Sequence, residues 1–299
     1  MNDEYALTLL LSAPVLNKVT LKRIEHILKK AIDWNKVFYI SILERTTYIM
    51  CKNLLQYRYF WIIPDELWMI WNTSYIGNIK RNQQLLFVYN SLKQEFFQNS
   101  ILAVPSRGIL LLSSIYKNMI GARLLHDLDF FTEKTYLSKI DMVLNKLNFN
   151  RIYVNDKDIL INVDNIYGKD VLYSKYVDST YINCDFCSDM EYNRELFEFL
   201  IECMKSEESN KFYIAQLIIL YLSAEKTWNG SYFISDIKHY TYERLIDLHL
   251  YKCIYENSQI IDLFYETVNR FNQNEIVLNV DITLNFFRKE GYLTCKNCL

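Results

Sequence analysis

The sequence predicts a helix-rich α+β protein, in which a small mixed-sheet core lies between N- and C-terminal helical regions. Three observations predict it. Only six glycines and three prolines occur in 299 residues, so tight turns are few and long helices are favoured over many short strands. Residues 1–98 carry apolar positions at helical spacing. Between residues 101 and 186 the pattern changes to short apolar or alternating runs, and from 191 onward it is helical again. The expected divisions are therefore 1–98, 99–190 and 191–299.

Within the first region, Asp33 is placed to cap a helix that starts at Trp34 and carries its apolar face through Val37, Ile40, Leu43 and Tyr48. Pro64-Asp65-Glu66 is a helix start, because proline tolerates the first turn and acids favour its positive end. That helix should run to about Gln98. Next, ILAVP (101–105) suits a buried strand, 108–119 have helical spacing, and 126–131 alternate as a strand. Residues 134–148 return to helix. The runs RIYVN (151–155), DILINV (158–163), DVLYSKYV (170–177) and TYINCDF (180–186) read as further strands.

Composition narrows the function. Half the residues are apolar and about a quarter charged, as in a globular domain. A net charge of −2 gives no general attraction to nucleic acid, and long nucleic acid is disfavoured as a partner. The N-terminal stretch MNDEYALTLLLSAPVL has no basic n-region and is not read as a signal peptide. The longest apolar run, 212–224, is too short to span a bilayer and contains Gln216, so no membrane partner is expected. Seven cysteines, an odd number, fit free thiols in a reducing compartment, and the expected location is cytoplasmic.

The chemistry concentrates in SRGILLLSSIYKNMIGARLLHDLDFF, residues 106–131, which holds two of the six glycines and ends on Asp127 and Asp129. On a strand these aspartates share one face, and Leu128 and Phe130 the other. Two carboxylates side by side repel unless a cation lies between them, and Mg2+ takes such an oxygen pair while leaving room for substrate phosphates. Two solvated aspartates at a strand end are the plain structural alternative. Upstream, Gly108 falls after a strand and at a helix start, where free N–H groups favour phosphate. Arg107 adds a cation there, and Arg123 stands four residues before Asp127. A strand, a glycine-led helix and a second strand bearing D-x-D form one way to hold a nucleoside triphosphate.

These residues resemble the nucleotidyltransferase superfamily of DNA polymerase beta. Within it the chain is most similar to a bacterial family of uncharacterised nucleotidyltransferases, often encoded beside genes for modifying peptide natural products. The family motif, an apolar strand, Lys-Gly, a helix ending near Tyr, then Arg and D-h-D (h apolar), is matched by Arg107-Gly108, Tyr116, Arg123, Asp127 and Asp129. The upstream stretches AIDWNKVFYISILERTTYIMCKNLL and IIPDELWMIWNTSYIGNIKRNQQLL match as well, and the likeness covers residues 30–150 best. Two departures stand out: Arg107 replaces the family lysine, with a different fork and bulk, and His126 replaces the small residue before D-h-D. Alternation puts His126 on the face opposite the aspartates, as a packed strand residue.

The resemblance implies an enzyme that moves NMP from an NTP to an acceptor, by in-line transfer with two Mg2+ ions. It implies a third carboxylate on a later strand, which helps hold the metal and activates the attacking hydroxyl. Asp185 is the choice here, since Tyr181, Asn183, Asp185 and Cys187 would share a polar face; Asp164 and Asp178 compete with it. Arg107, Gly108 and Arg123 would bind the nucleotide phosphates. The acceptor expected is a peptide, a protein side chain or a small molecule, with a tRNA end as a further alternative. Rival readings are an antibiotic-modifying or toxin-type nucleotidyltransferase, a catalytically inactive nucleotide- or partner-binding relative, a D-x-D glycosyltransferase and a helical scaffold. Cys184/Cys187 and Cys295/Cys298 invite zinc, but residues three apart on a strand point to opposite faces. His239, Glu243 and Asp247 read as a solvated helix face.

Overall fold

The computed structural model describes residues 2–14, 16–113, 116–154, 160–161, 170–178, 180–188, 198–199 and 201–203. It is a helix-rich α+β fold, and its described residues fall into two compact units. One takes in 2–80 and 116–124, the other 81–113 and 125 onward.

The first unit is helical: α1 (Asp3–Leu11), α2 (Lys18–Ile27), α3 (Trp34–Leu43), α4 (Thr47–Gln56) and the opening turns of α5 (Asp65–Gln98). Its helix starts are capped by side chains. Asn2 accepts from the Glu4 N–H, Asn17 from Val19 and Thr20, and Asp33 from Lys36 at 3.2 Å. Leu7, Leu10, Ile24, Val37, Met50 and Trp71 fill the core. Two buried polar groups are satisfied by backbone carbonyls: Asn53 Nδ2 donates to Leu11 and Ala13, and Trp71 Nε1 to Thr47.

The helix expected to continue from Trp34 past Tyr48 is instead broken at Glu44–Thr46. Arg45 adopts φ 56°, a left-handed conformation that no helix continues through, and α4 starts afresh at Thr47. A hydroxyl contact of 3.0 Å between the buried Ser41 and Thr47 ties the two helices across the break. α5 starts directly after Pro64 and ends at Gln98, as its spacing predicts.

The second unit holds the rest of α5 and a mixed sheet. The strands are β1 (Ala103–Ser106), β2 (Asp127–Thr132), β3 (Asn150–Val154), β4 (Leu160–Ile161), β5 (Asp170–Val177) and β6 (Thr180–Cys187). Their order is β1-β2-β6-β5-β3-β4, with β2 and β6 parallel and every other pair antiparallel. Two helices accompany them, α6 (Arg107–Ser113) and α7 (Leu137–Lys146). Pro105 lies on β1, the outer strand of the described sheet, the kind of position where proline is tolerated.

One face of the sheet packs on α5. Phe130 and Phe186 stack at 5.0 Å, and Phe96 of α5 meets both rings edge-on, at 5.8 and 5.9 Å. Leu128, Ile182 and Cys184 complete this apolar face. The opposite face carries the residues that alternate with them, among them Asp127, Asp129, Asn183 and Asp185 alongside the apolar Phe131 and Leu172.

Candidate active site

The site is assembled by register. Along β2, Leu128 and Phe130 are sealed in the core, so alternation turns Asp127 and Asp129 to the other face. Asp127 is half-buried and Asp129 is 7 % exposed. β6 runs parallel beside β2 with Asp127 opposite Asn183 and Asp129 opposite Asp185. Residues directly paired across strands present their side chains to the same face, so Asp185 joins the two aspartates. On the other side of β2, Ser106 pairs with Asp129. One row across β1, β2, β6 and β5 therefore reads Ser106, Asp129, Asp185, Leu172, and the next, across β2, β6 and β5, Asp127, Asn183, Ser174.

Two further observations bear on this face. Ser106 is 1 % exposed, and its Oγ has no hydrogen-bond partner among the described residues, which leaves a buried hydroxyl on the carboxylate row. Cys184, directly behind the row, has its thiol held well above the usual range. Burial is the main cause, followed by the negative charges of Asp127, Asp185 and Asp129. All three carboxylates thus act on one point in the sheet. No three His, Cys, Asp or Glu side chains among the described residues are drawn together as a formed metal cage. What suits a hard cation is the donor set itself: three carboxylates on one face, repelling one another unless neutralised.

Arg81, on α5, holds the backbone that leads into β2. Its Nε donates to the Leu125 carbonyl at 2.9 Å and its Nη2 to the His126 carbonyl at 2.8 Å. The fork thereby sets the two peptides immediately before Asp127. Sequence reading misses Arg81, because nothing in the spacing of a long helix marks which surface arginine meets a loop 44 positions later. His126 is a correction of the sequence expectation: the strand starts one residue later, at Asp127, and His126 is exposed just ahead of it, not packed within the strand.

Arg107 and Gly108 open α6 directly from the end of β1, and α6 packs against β1 and β2. Gly108 is buried. α6 ends at Ser113, shorter than the expected 108–119, and the buried Tyr116 lies beyond it. Arg123 belongs to the first unit. It is 4 % exposed, donates from Nη1 to the Leu124 carbonyl at 3.0 Å, and its own carbonyl accepts from Asn78 Nδ2. Of the rivals to Asp185, Asp178 is exposed in the β5–β6 turn at φ 43°, and Asp164 lies outside the described residues. Cys184 is buried on the core face and Cys187 is on the other, as the three-residue spacing on a strand requires, and no disulfide joins them. His239, Glu243, Asp247, Cys295 and Cys298 lie outside the described residues. Among the described residues no helix is long and apolar enough to cross a membrane.

No curated protein and no solved structure shows a significant match to the chain. The model of a family described as "uncharacterised nucleotidyltransferase" matches residues 30–267, most of the chain, with α3 to α7 and the six strands of the described residues inside the matched range. The chain belongs to that family of nucleotidyltransferases, whose chemistry implies an NTP as substrate.

Proposed function

We propose that the protein is a Mg2+-dependent nucleotidyltransferase that moves NMP from an NTP to a hydroxyl of a peptide, protein or small-molecule acceptor. The observation that carries this reading is the register that sets Asp129 opposite Asp185 and leaves Asp127 on the same face. Asp127, Asp129 and Asp185 would hold the metal. When bound, two Mg2+ ions supply positive charge that neutralises the triphosphate and the leaving pyrophosphate.

The chain's own residues divide the remaining work. Arg107 and Gly108 stand where β1 turns into α6 and receive the phosphates. Asp185 accepts the acceptor's hydroxyl proton. The acceptor oxygen bonds to the α-phosphorus as the bond from that phosphorus to its bridging oxygen breaks, and pyrophosphate departs on the opposite side. No disulfide joins the described cysteines, which suits work in the cytoplasm.

A second reading, a relative that binds NTP without turnover, is favoured by Arg107, which stands where lysine is expected. Calorimetric titration of ATP, GTP, CTP and UTP with Mg2+ tests both, on the wild type and on Asp127→Asn/Asp129→Asn, alongside a pyrophosphate-release assay. Binding that needs Mg2+ and is lost in the double variant supports the carboxylate site. Binding without pyrophosphate release, across a panel of hydroxyl acceptors, supports the inactive relative. Tight binding untouched by the double variant refutes the site.

A further inference from the structure

The β5–β6 hairpin carries a feature that the carboxylate chemistry leaves unused. Tyr176 and Tyr181 face each other across its end, with ring centroids 4.9 Å apart and planes tilted by 56°. They are 61 % and 65 % exposed, so two large rings touch each other and still offer most of their surface to solvent. Alternation along β6 puts Tyr181 on the face of Asn183 and Asp185, and Tyr176, paired with Tyr181, shares it. The tyrosines therefore form the next row after Asp127, Asn183 and Ser174. At roughly 3.3 Å per residue and 4.8 Å per strand, the Tyr181 backbone lies about 8 Å from that of Asp127.

We propose that Tyr176 and Tyr181 are the stacking platform for the base of the NTP, an assignment that rests on the nucleotidyltransferase reading above. The base is the one planar part of the substrates held at a fixed covalent distance from the α-phosphate. A ribose and its glycosidic bond span the interval between the Asp127 row and the tyrosine row. Asn183 and Ser174, in the Asp127 row itself, put polar side chains on the same face at the near edge of that interval, for the ribose hydroxyls. Stacking is tolerant of sequence, because every base has a π-face. The platform accordingly gives affinity with little choice among bases, and purines bind more tightly than pyrimidines.

A cross-strand tyrosine pair also steadies a hairpin, so the test separates the two roles. ATP, UTP and inorganic triphosphate, each with Mg2+, are titrated by calorimetry into the wild type, Tyr176→Phe/Tyr181→Phe and Tyr176→Thr/Tyr181→Thr. Threonine keeps strand propensity and phenylalanine keeps the rings. The expected result is near wild-type affinity for the Phe pair. For the Thr pair, loss on the order of tenfold is expected for ATP, less for UTP and none for triphosphate. ATP affinity unchanged in the Thr pair overturns the platform and leaves the nucleotidyltransferase reading standing. Equal loss of ATP and triphosphate assigns the pair to holding the hairpin and overturns the platform as well. A wild type that binds none of the three ligands refutes the parent reading and, with it, this one.

Discussion

Replacing Arg81 isolates how the fold aims its carboxylates. The guanidinium makes two hydrogen bonds to consecutive carbonyls just before Asp127, at 2.9 and 2.8 Å. Hydrogen bonds involving a charged group contribute roughly 1.5–3 kcal/mol each when buried. The contact to Leu125 is part-buried and the one to His126 is exposed, where water replaces the lost donor at little cost. The low end of the range therefore applies, and Arg81→Met should cost about 2 kcal/mol while keeping the apolar stem in place. For a protein of this size that is a fall in Tm of about 4–8 °C. Arg81→Lys keeps the charge but offers a single ammonium where the two carbonyls meet a fork, so it should recover only part of the loss. Far-UV circular dichroism melts give the stability. Calorimetric titration with Mg2+ and NTP gives the effect on the site, where loosening the start of β2 should weaken affinity in the order wild type, Lys, Met. An Arg81→Met protein with unchanged Tm and unchanged Mg–NTP affinity would refute the claim that this fork positions Asp127.

Two other predictions concern the first unit. A Cβ added at Gly121 would lie 2.4 Å from Ile79 Cγ1 and 2.8 Å from Tyr75 Cε2, so Gly121→Ala should destabilise by about 1–3 kcal/mol through overpacking, read as a lowered denaturation midpoint. The buried Cys51 thiol is pushed up to about 12 by desolvation. Below the ordinary thiol value near 9, folded and unfolded states both keep the proton; above it only the unfolded chain ionises. Stability should then decline by up to about 1.4 kcal/mol per pH unit between 9 and 12. Cys51→Ala should flatten that slope, whatever it does to stability at neutral pH, and equal slopes in the two proteins would count against the buried thiol as its cause.

Much of the fold is legible locally because its signals are local. Asp33 caps α3, Pro64 precedes α5, Gln98 ends it, and the alternation of 170–177 becomes β5 residue for residue. The signals that failed were those with a competing neighbour. The apolar spacing across Leu43 and Tyr48 was equally compatible with one helix or two, and the left-handed turn at Arg45 with the Ser41–Thr47 contact decided for two. His126 sat one position outside the strand, with its carbonyl accepting from Arg81.

The candidate site divides in the same way. From the chain alone come the D-x-D pair, the glycine-led turn of Arg107-Gly108 and the polar face of β6, since each depends only on residues a few positions apart. The partners of those groups depend on strand order and register: β6 parallel to β2 with Asp185 opposite Asp129, Ser106 across from the same aspartate, Arg81 against Leu125 and His126, and Tyr176 against Tyr181. Spacing along the chain determines which face of its own strand a side chain occupies. Which side chains from other strands share that face is set by hydrogen-bond pairing between segments tens of residues apart, and a one-residue slip in that pairing would have moved Asp185 to the core.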